Sequence, residues 1–154
     1  MRKTWLLSVL LIVLTAAVAQ QPGRGTADEV IAITKAQWAA EMKKNTAEAM
    51  KNVAEDYTEL NGDYSTRIEG KDLASRLGEA FSSGTGTLVA AEMLNPKVQQ
   101  YGDVAILSYN FAGVVKDKDG KTENTRAKST RIYVRKGGQW WLVHANFGSD
   151  PQPD

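Results

Sequence analysis

The chain has 154 residues, with 19 Lys plus Arg against 18 Asp plus Glu, a single His and no Cys, a length that predicts one compact domain. The absence of cysteine excludes disulfide scaffolds, thiolate metal sites and cysteine nucleophiles, and one imidazole excludes multi-histidine centres, so no metal and no other cofactor is expected. A formal charge of +1 gives no field for holding nucleic acid, and 42% hydrophobic content supplies a core without the composition of a membrane bundle.

Arg2 and Lys3 precede an apolar run from Trp5 to Val13, and Ala17-Val18-Ala19 sets small residues where signal peptidase cleaves. Residues 1–19 therefore read as a secretory signal peptide. The run falls short of the roughly 20 apolar residues needed to span a bilayer, and no Cys follows it to carry a lipid. An exported chain is expected, periplasmic or secreted, with no membrane attachment after cleavage near Ala19. Residues 20–27 read as a flexible lead, 28–149 as the folded domain and 150–154 as a flexible tail.

Thr26-Ala27-Asp28-Glu29 offers a capping box for a first helix carrying Ile31, Trp38 and Met42 on one face. Asn45, three residues before Glu48, caps a second helix through Ala47, Met50, Val53 and Ala54. Tyr57 to Asn61 reads as a short extended piece, and Gly70-Lys71-Asp72 opens a third helix with Leu73, Leu77 and Phe81, ended by Ser82 to Gly86.

From Thr87 the period becomes extended, punctuated by turns at Gly102-Asp103, Asp119-Gly120 and Gly137-Gly138. Four long antiparallel strands in a meander are predicted, long enough to require a bent and twisted sheet. Between Asp103 and Val115 one parity carries Val104, Ile106, Ala112 and Val114, and the other Ala105, Leu107, Tyr109 and Phe111. Neither face is polar, so both should be covered. The helices cover one; a second copy of the chain is the expected cover of the other, making a homodimer or higher oligomer.

Leu94-Asn95-Pro96, Gly102-Asp103, Thr130-Arg131, Gly138-Gln139-Trp140 and Val143-His144 occur in this order on that framework. The pattern resembles the association, or hub, domain of calcium/calmodulin-dependent protein kinase II. That domain lies within the nuclear transport factor 2-like superfamily, which includes ketosteroid isomerase and the SnoaL-like cyclases. The resemblance spans the whole mature chain. It implies an α+β cone in which three N-terminal helices pack on a strongly bent antiparallel sheet around a pocket. In the hub this pocket carries several arginines and binds small carboxylates. Arg131 matches one of them, whereas two other arginine positions fall at Phe111 and Phe147, implying a more aromatic pocket with one guanidinium to orient a ligand. No kinase domain accompanies the sequence, so the kinase partnership does not carry over.

Arg131 lies mid-strand, where a buried charge needs a partner. It either holds a ligand carboxylate through its fork of donors or makes an ion pair with Asp56, Glu59 or Glu92, or reaches solvent at a sheet edge. His144 is the one side chain that titrates near neutrality and so the first candidate general base; alternatively it is a structural histidine at a subunit interface. Asp56 and Tyr57 follow the second helix, where the resemblance implies an acid and a phenol reaching into the cone. Trp38, Tyr57, Tyr109, Phe111, Arg131 and Tyr133 are the expected ligand-binding wall, though aromatics at this spacing also suit a plain core. Adjacent Trp140 and Trp141 should point to opposite faces. Gly84-Thr85-Gly86 precedes a strand, so it is no phosphate cradle.

These residues suggest a non-enzymatic small-molecule-binding domain whose ligand is a small organic molecule, with carboxylates among the candidates. The alternatives are a SnoaL-like or ketosteroid isomerase-like enzyme using Asp56, Tyr57 or His144, and an oligomerisation module without a working pocket.

Overall fold

Helix α1 spans Arg24–Met42 in the computed structural model, which describes residues 24–150. The expected signal peptide, the lead up to residue 23 and the tail from residue 151 lie outside the described residues. Thr26 is already inside α1, so the capping box does not mark its start, and residues 24–27 of the expected lead are helical. The buried stripe is Val30, Thr34 and Trp38, each four residues apart and so on one helical face. Ile31 and Met42, expected on that face, are half-buried. Thr34 is tolerated in the stripe because its Oγ1 bonds the Val30 carbonyl at 2.9 Å and shares a 2.7 Å hydrogen bond with the Tyr133 hydroxyl.

Helix α2 is capped as expected, with Asn45 accepting from the Glu48 N–H, but it lasts only one turn, Thr46–Ala49. Met50 is its C-cap, and Val53 and Ala54 belong to strand β1, Val53–Asn61. Tertiary pairing overrides the helical pattern here: Leu142 N–H donates to the Asn52 carbonyl at 2.8 Å, and Asn52 Nδ2 donates to the Trp140 carbonyl. The expected short extended piece is thus a nine-residue strand. A short strand β2, Ile68–Glu69, absent from the sequence reading, pairs with it. Helix α3, Lys71–Ala80, follows Gly70, whose φ of 87° suits glycine, and runs into a π turn at Phe81–Thr85.

Strands β3, Thr87–Tyr101, β4, Val104–Lys116, β5, Thr122–Lys136, and β6, Gln139–Ser149, form the expected antiparallel meander. The sheet has six strands in the order β2-β1-β6-β5-β4-β3 and is mixed, because β1 runs parallel to β6. The expected antiparallel meander of four strands is present, and β1 joins its edge in parallel, a direction that periodicity cannot foretell. Gly137 and Gly138 both take positive φ, 60° and 80°, the requirement of a two-residue turn that matches strand twist.

The bend comes from register shifts. One falls between Leu94 and Lys97, with Asn95 at φ 50°, so the Leu94-Asn95-Pro96 motif is a bulge that curves β3. Another falls between Ile132 and Tyr133 in the β5–β6 ladder. The inner parity of the curved sheet holds Ala105, Leu107, Tyr109, Tyr133, Trp140, Leu142 and Ala145, all buried against the helices. Trp140 Nε1 clips β6 to α1 by donating to Glu29 Oε2 at 2.8 Å. The opposite parity, including Val104, Ile106, Ile132, Val134 and Trp141, is half-buried, and Trp140 and Trp141 do point to opposite faces. Among the described residues no helix is long and apolar enough to cross a membrane.

Candidate functional site

Curvature of the sheet leaves a cavity of about 510 Å³ between α1, α3, β1 and the inner parity of β4 to β6. Its floor is built from alternate residues of β5. Ser129 and Arg131 point the same way on adjacent steps of one face, and both are 3% exposed. Arg131 Nε donates to the Tyr109 hydroxyl at 2.9 Å and Nη1 to Gln37 Oε1 at 2.8 Å. Its Cζ lies 5.4 Å from the centre of the Phe147 ring.

None of the carboxylates considered for Arg131 pairs with it: among the described residues, no acid lies within 4.0 Å of the guanidinium. Burial opposes its charge, while the surrounding Tyr109, Tyr133 and Tyr57 oxygens favour it and hold its pKa above the usual arginine range. The guanidinium therefore stays protonated. Ser129 Oγ is buried beside it with no hydrogen-bond partner. A buried cation without a counter-ion and a buried hydroxyl without a partner both line the same cavity.

Aromatic side chains form the rest of the deep wall. Trp38 meets Tyr109 and Phe111 edge to face, at centroid distances of 5.6 and 5.3 Å. Tyr57 lines the cavity from β1 and donates to Glu59 Oε2 at 2.7 Å. Burial, then the neighbouring Glu59 charge, pushes the Tyr57 phenol above its ordinary range, so it stays protonated and a donor.

Three further side chains complete the site; Gln37 and Glu41 lie outside the sequence reading, and Glu59 was considered there only as an ion-pair partner of Arg131. Gln37 receives Arg131 on its oxygen and donates from Nε2 to Glu41 Oε1 at 2.9 Å. Glu41 itself lines the cavity. Burial raises its pKa above 4.5; Arg131 and the Gln37 hydrogen bond lower it, Glu59 raises it further, and burial prevails. Glu59, the third, also accepts from Asn61 Nδ2. The signal for Gln37 and Glu41 was helical spacing around Trp38, and for Glu59 its shared strand parity with Tyr57.

Trp38, Tyr57, Tyr109, Phe111 and Arg131 thus meet at one cavity, and Phe147 joins them. Tyr133, expected in the wall, lies behind it in the core, fully buried and bonded to Thr34. Asp56 is exposed on the opposite parity of β1 from Tyr57 and does not line the cavity. His144 lies on the outer parity of β6, where its Nδ1 meets Thr58 Oγ1 at 2.9 Å. The three residues considered for catalysis are therefore not brought together. Among the described residues no cluster of His, Cys, Asp or Glu suited to a metal occurs.

Solved structures with this fold include the association domain of the C. elegans kinase II, with a TM-score of 0.67 and 19% identity over 82% of this chain and 97% of that one. The hub homology domain from Chlamydomonas reinhardtii gives 0.68 at 20% identity, covering 82% and 99%. A nuclear transport factor 2-like protein from Salmonella enterica gives 0.74 at 11% identity, covering 84% and 94%. No protein with a curated description matches significantly. Residues 26–151 match the model of the calcium/calmodulin-dependent protein kinase II association domain, and the chain belongs to that family, within the nuclear transport factor 2-like fold.

Proposed function

We propose that this is an exported, oligomeric binding domain whose cavity takes a small organic acid. The observation that carries the reading is Arg131: a guanidinium 3% exposed, lining a cavity of about 510 Å³, with no carboxylate within 4.0 Å among the described residues. Burying such a charge costs several kcal/mol unless something compensates. A ligand carboxylate supplies the missing partner, and Ser129 Oγ offers it a further donor. The aromatic wall of Trp38, Tyr57, Tyr109, Phe111 and Phe147 suits an apolar body behind that head group. A cavity of this size counts against the reading as an oligomerisation module with a filled pocket.

Oligomerisation is supported by the half-buried apolar band on the outer parity of the sheet and by the likeness to kinase hub domains. Export rests on the sequence pattern of residues 1–19.

Native mass spectrometry of the mature protein, purified from its exporting host without harsh extraction, tests these points together. The expected spectrum is a multimer that lacks residues 1–19 and carries a discrete extra mass in the acid range, lost in Arg131→Ala. Retention of the same mass by Arg131→Ala would refute the role of Arg131, an intact Met1 would refute export, and a monomer at micromolar concentration would refute oligomerisation.

A further inference from the structure

The cavity is not uniformly cationic. Glu41 on α1 and Glu59 on β1 line it together with Arg131, and all three are at least half-buried. The other charged residues around it, Lys44, Asp63 and Arg126, are exposed and water-solvated. Among the described residues no cation lies within 4.0 Å of Glu41 or Glu59, just as no anion lies within that range of Arg131. Opposite charges share one cavity and do not neutralise each other by contact.

Gln37 keeps them apart. Its amide oxygen is engaged by Arg131 and its amide nitrogen by Glu41, so the cation and the acid stand one amide group from each other in a fixed sense. Glu59 is likewise held, by Tyr57 and Asn61, with one hydrogen bond to each carboxylate oxygen and lone pairs to spare. Ser129, two residues before Arg131 on β5, lines the same cavity, and its Oγ has no hydrogen-bond partner. The site is thus an electrostatic dipole with a donor pole at Arg131 and Ser129 and an acceptor pole at Glu41 and Glu59.

We propose that the cavity binds an amino acid-like zwitterion, with its carboxylate at Arg131 and Ser129 and its ammonium group at Glu41 and Glu59. The proposal rests on the carboxylate reading above and adds the second charge. A simple fatty acid would satisfy Arg131 and leave two half-buried carboxylates unpaired, whereas an ω-amino acid pairs both poles and lays its methylenes along the aromatic wall.

Isothermal titration at pH 7 of the n-alkanoates from butanoate to octanoate, against the matching ω-amino acids, tests the second pole separately from the first. The best ω-amino acid is expected to bind about tenfold tighter than the alkanoate of equal chain length. Glu41→Gln and Glu59→Gln, which keep the side-chain shape, are expected to erase that advantage, read as the ratio of ω-amino acid to alkanoate affinity within each variant. Arg131→Ala should abolish binding of both series. Alkanoates that bind as tightly as the amino acids, and are lost in Arg131→Ala, would overturn the zwitterion proposal and leave the carboxylate reading standing. No binding of either series would overturn both.

Discussion

Arg131 shows how a single residue can set stability against function. Its buried charge is offset by the neutral oxygens of Tyr109 and Gln37 and by the Phe147 ring, with no carboxylate within 4.0 Å among the described residues. Replacing it by an apolar chain of similar length removes that desolvation cost. Arg131→Met is therefore expected to raise the melting temperature of the ligand-free protein while weakening carboxylate binding at least about a hundredfold, read by calorimetry and titration on the same sample. Tyr133 makes the contrast. Its hydroxyl bonds Thr34 behind the wall, so Tyr133→Phe should cost about 1 kcal/mol in chemical denaturation and leave ligand affinity unchanged. Arg131, Trp38 and Tyr109 were legible as cavity-facing residues because side-chain type and place on a strand or helix face suffice to point them inward. Tyr133 shares the parity of Arg131 yet misses the cavity, because parity assigns a face and not a depth. Glu41 went unread for a related reason: a helical carboxylate looks solvated until the sheet that curves over it is known.

At the scale of elements, α2 and β1 mark where sequence reading ran out. Residues 50–54 continue a helical pattern, and only the partnership of Asn52 and Val53 with β6 turns them into strand. The meander was readable because its turns are local, in contrast to the parallel β1–β6 pairing, which joins residues far apart in the chain. Local geometry also fixes the Phe111 ring. A Cβ on Gly113 would stand 2.6 Å from Phe111 Cζ and 3.2 Å from the Ala90 carbonyl, so the glycine leaves room for the ring to fold along β4 toward Trp38. Gly113→Ala should displace the ring and cost about 1–3 kcal/mol of stability. Because the ring is wall, ligand affinity should fall as well, and a shift in Trp38 fluorescence would report its movement.

For the molecule as a whole, pH and assembly give separate tests. Glu41 binds its proton more tightly folded than unfolded, so its contribution is fully present below about pH 4.5 and is lost as pH rises through the elevated folded value. Glu41→Gln should therefore flatten this part of the pH–stability profile, gaining on the wild type as pH climbs through that window; parallel profiles would contradict it. On the outer parity, Ile106 and Ile132 sit side by side in the β4–β5 ladder, flanked by Val104, Val134 and Trp141. Ile132→Asp is expected to yield a folded monomer in sedimentation velocity with the cavity intact, since Ile132 and Arg131 face opposite ways.

The sheet order has a consequence for how the chain can be made. β6 lies between β1 and β5, so β1 waits through the synthesis of residues 62–138 before its neighbour exists. Until then the nascent sheet is two unjoined pieces, and the cavity, which takes Tyr57 from one and Arg131 from the other, has no closed wall. The export proposed above would gain from such an order of events, because the native state is withheld from the ribosome-bound intermediate and becomes available once β6 has emerged. A chain ending at Gly138 should accordingly remain protease-sensitive throughout β1, while the addition of residues 139–149 confers protection in one cooperative step.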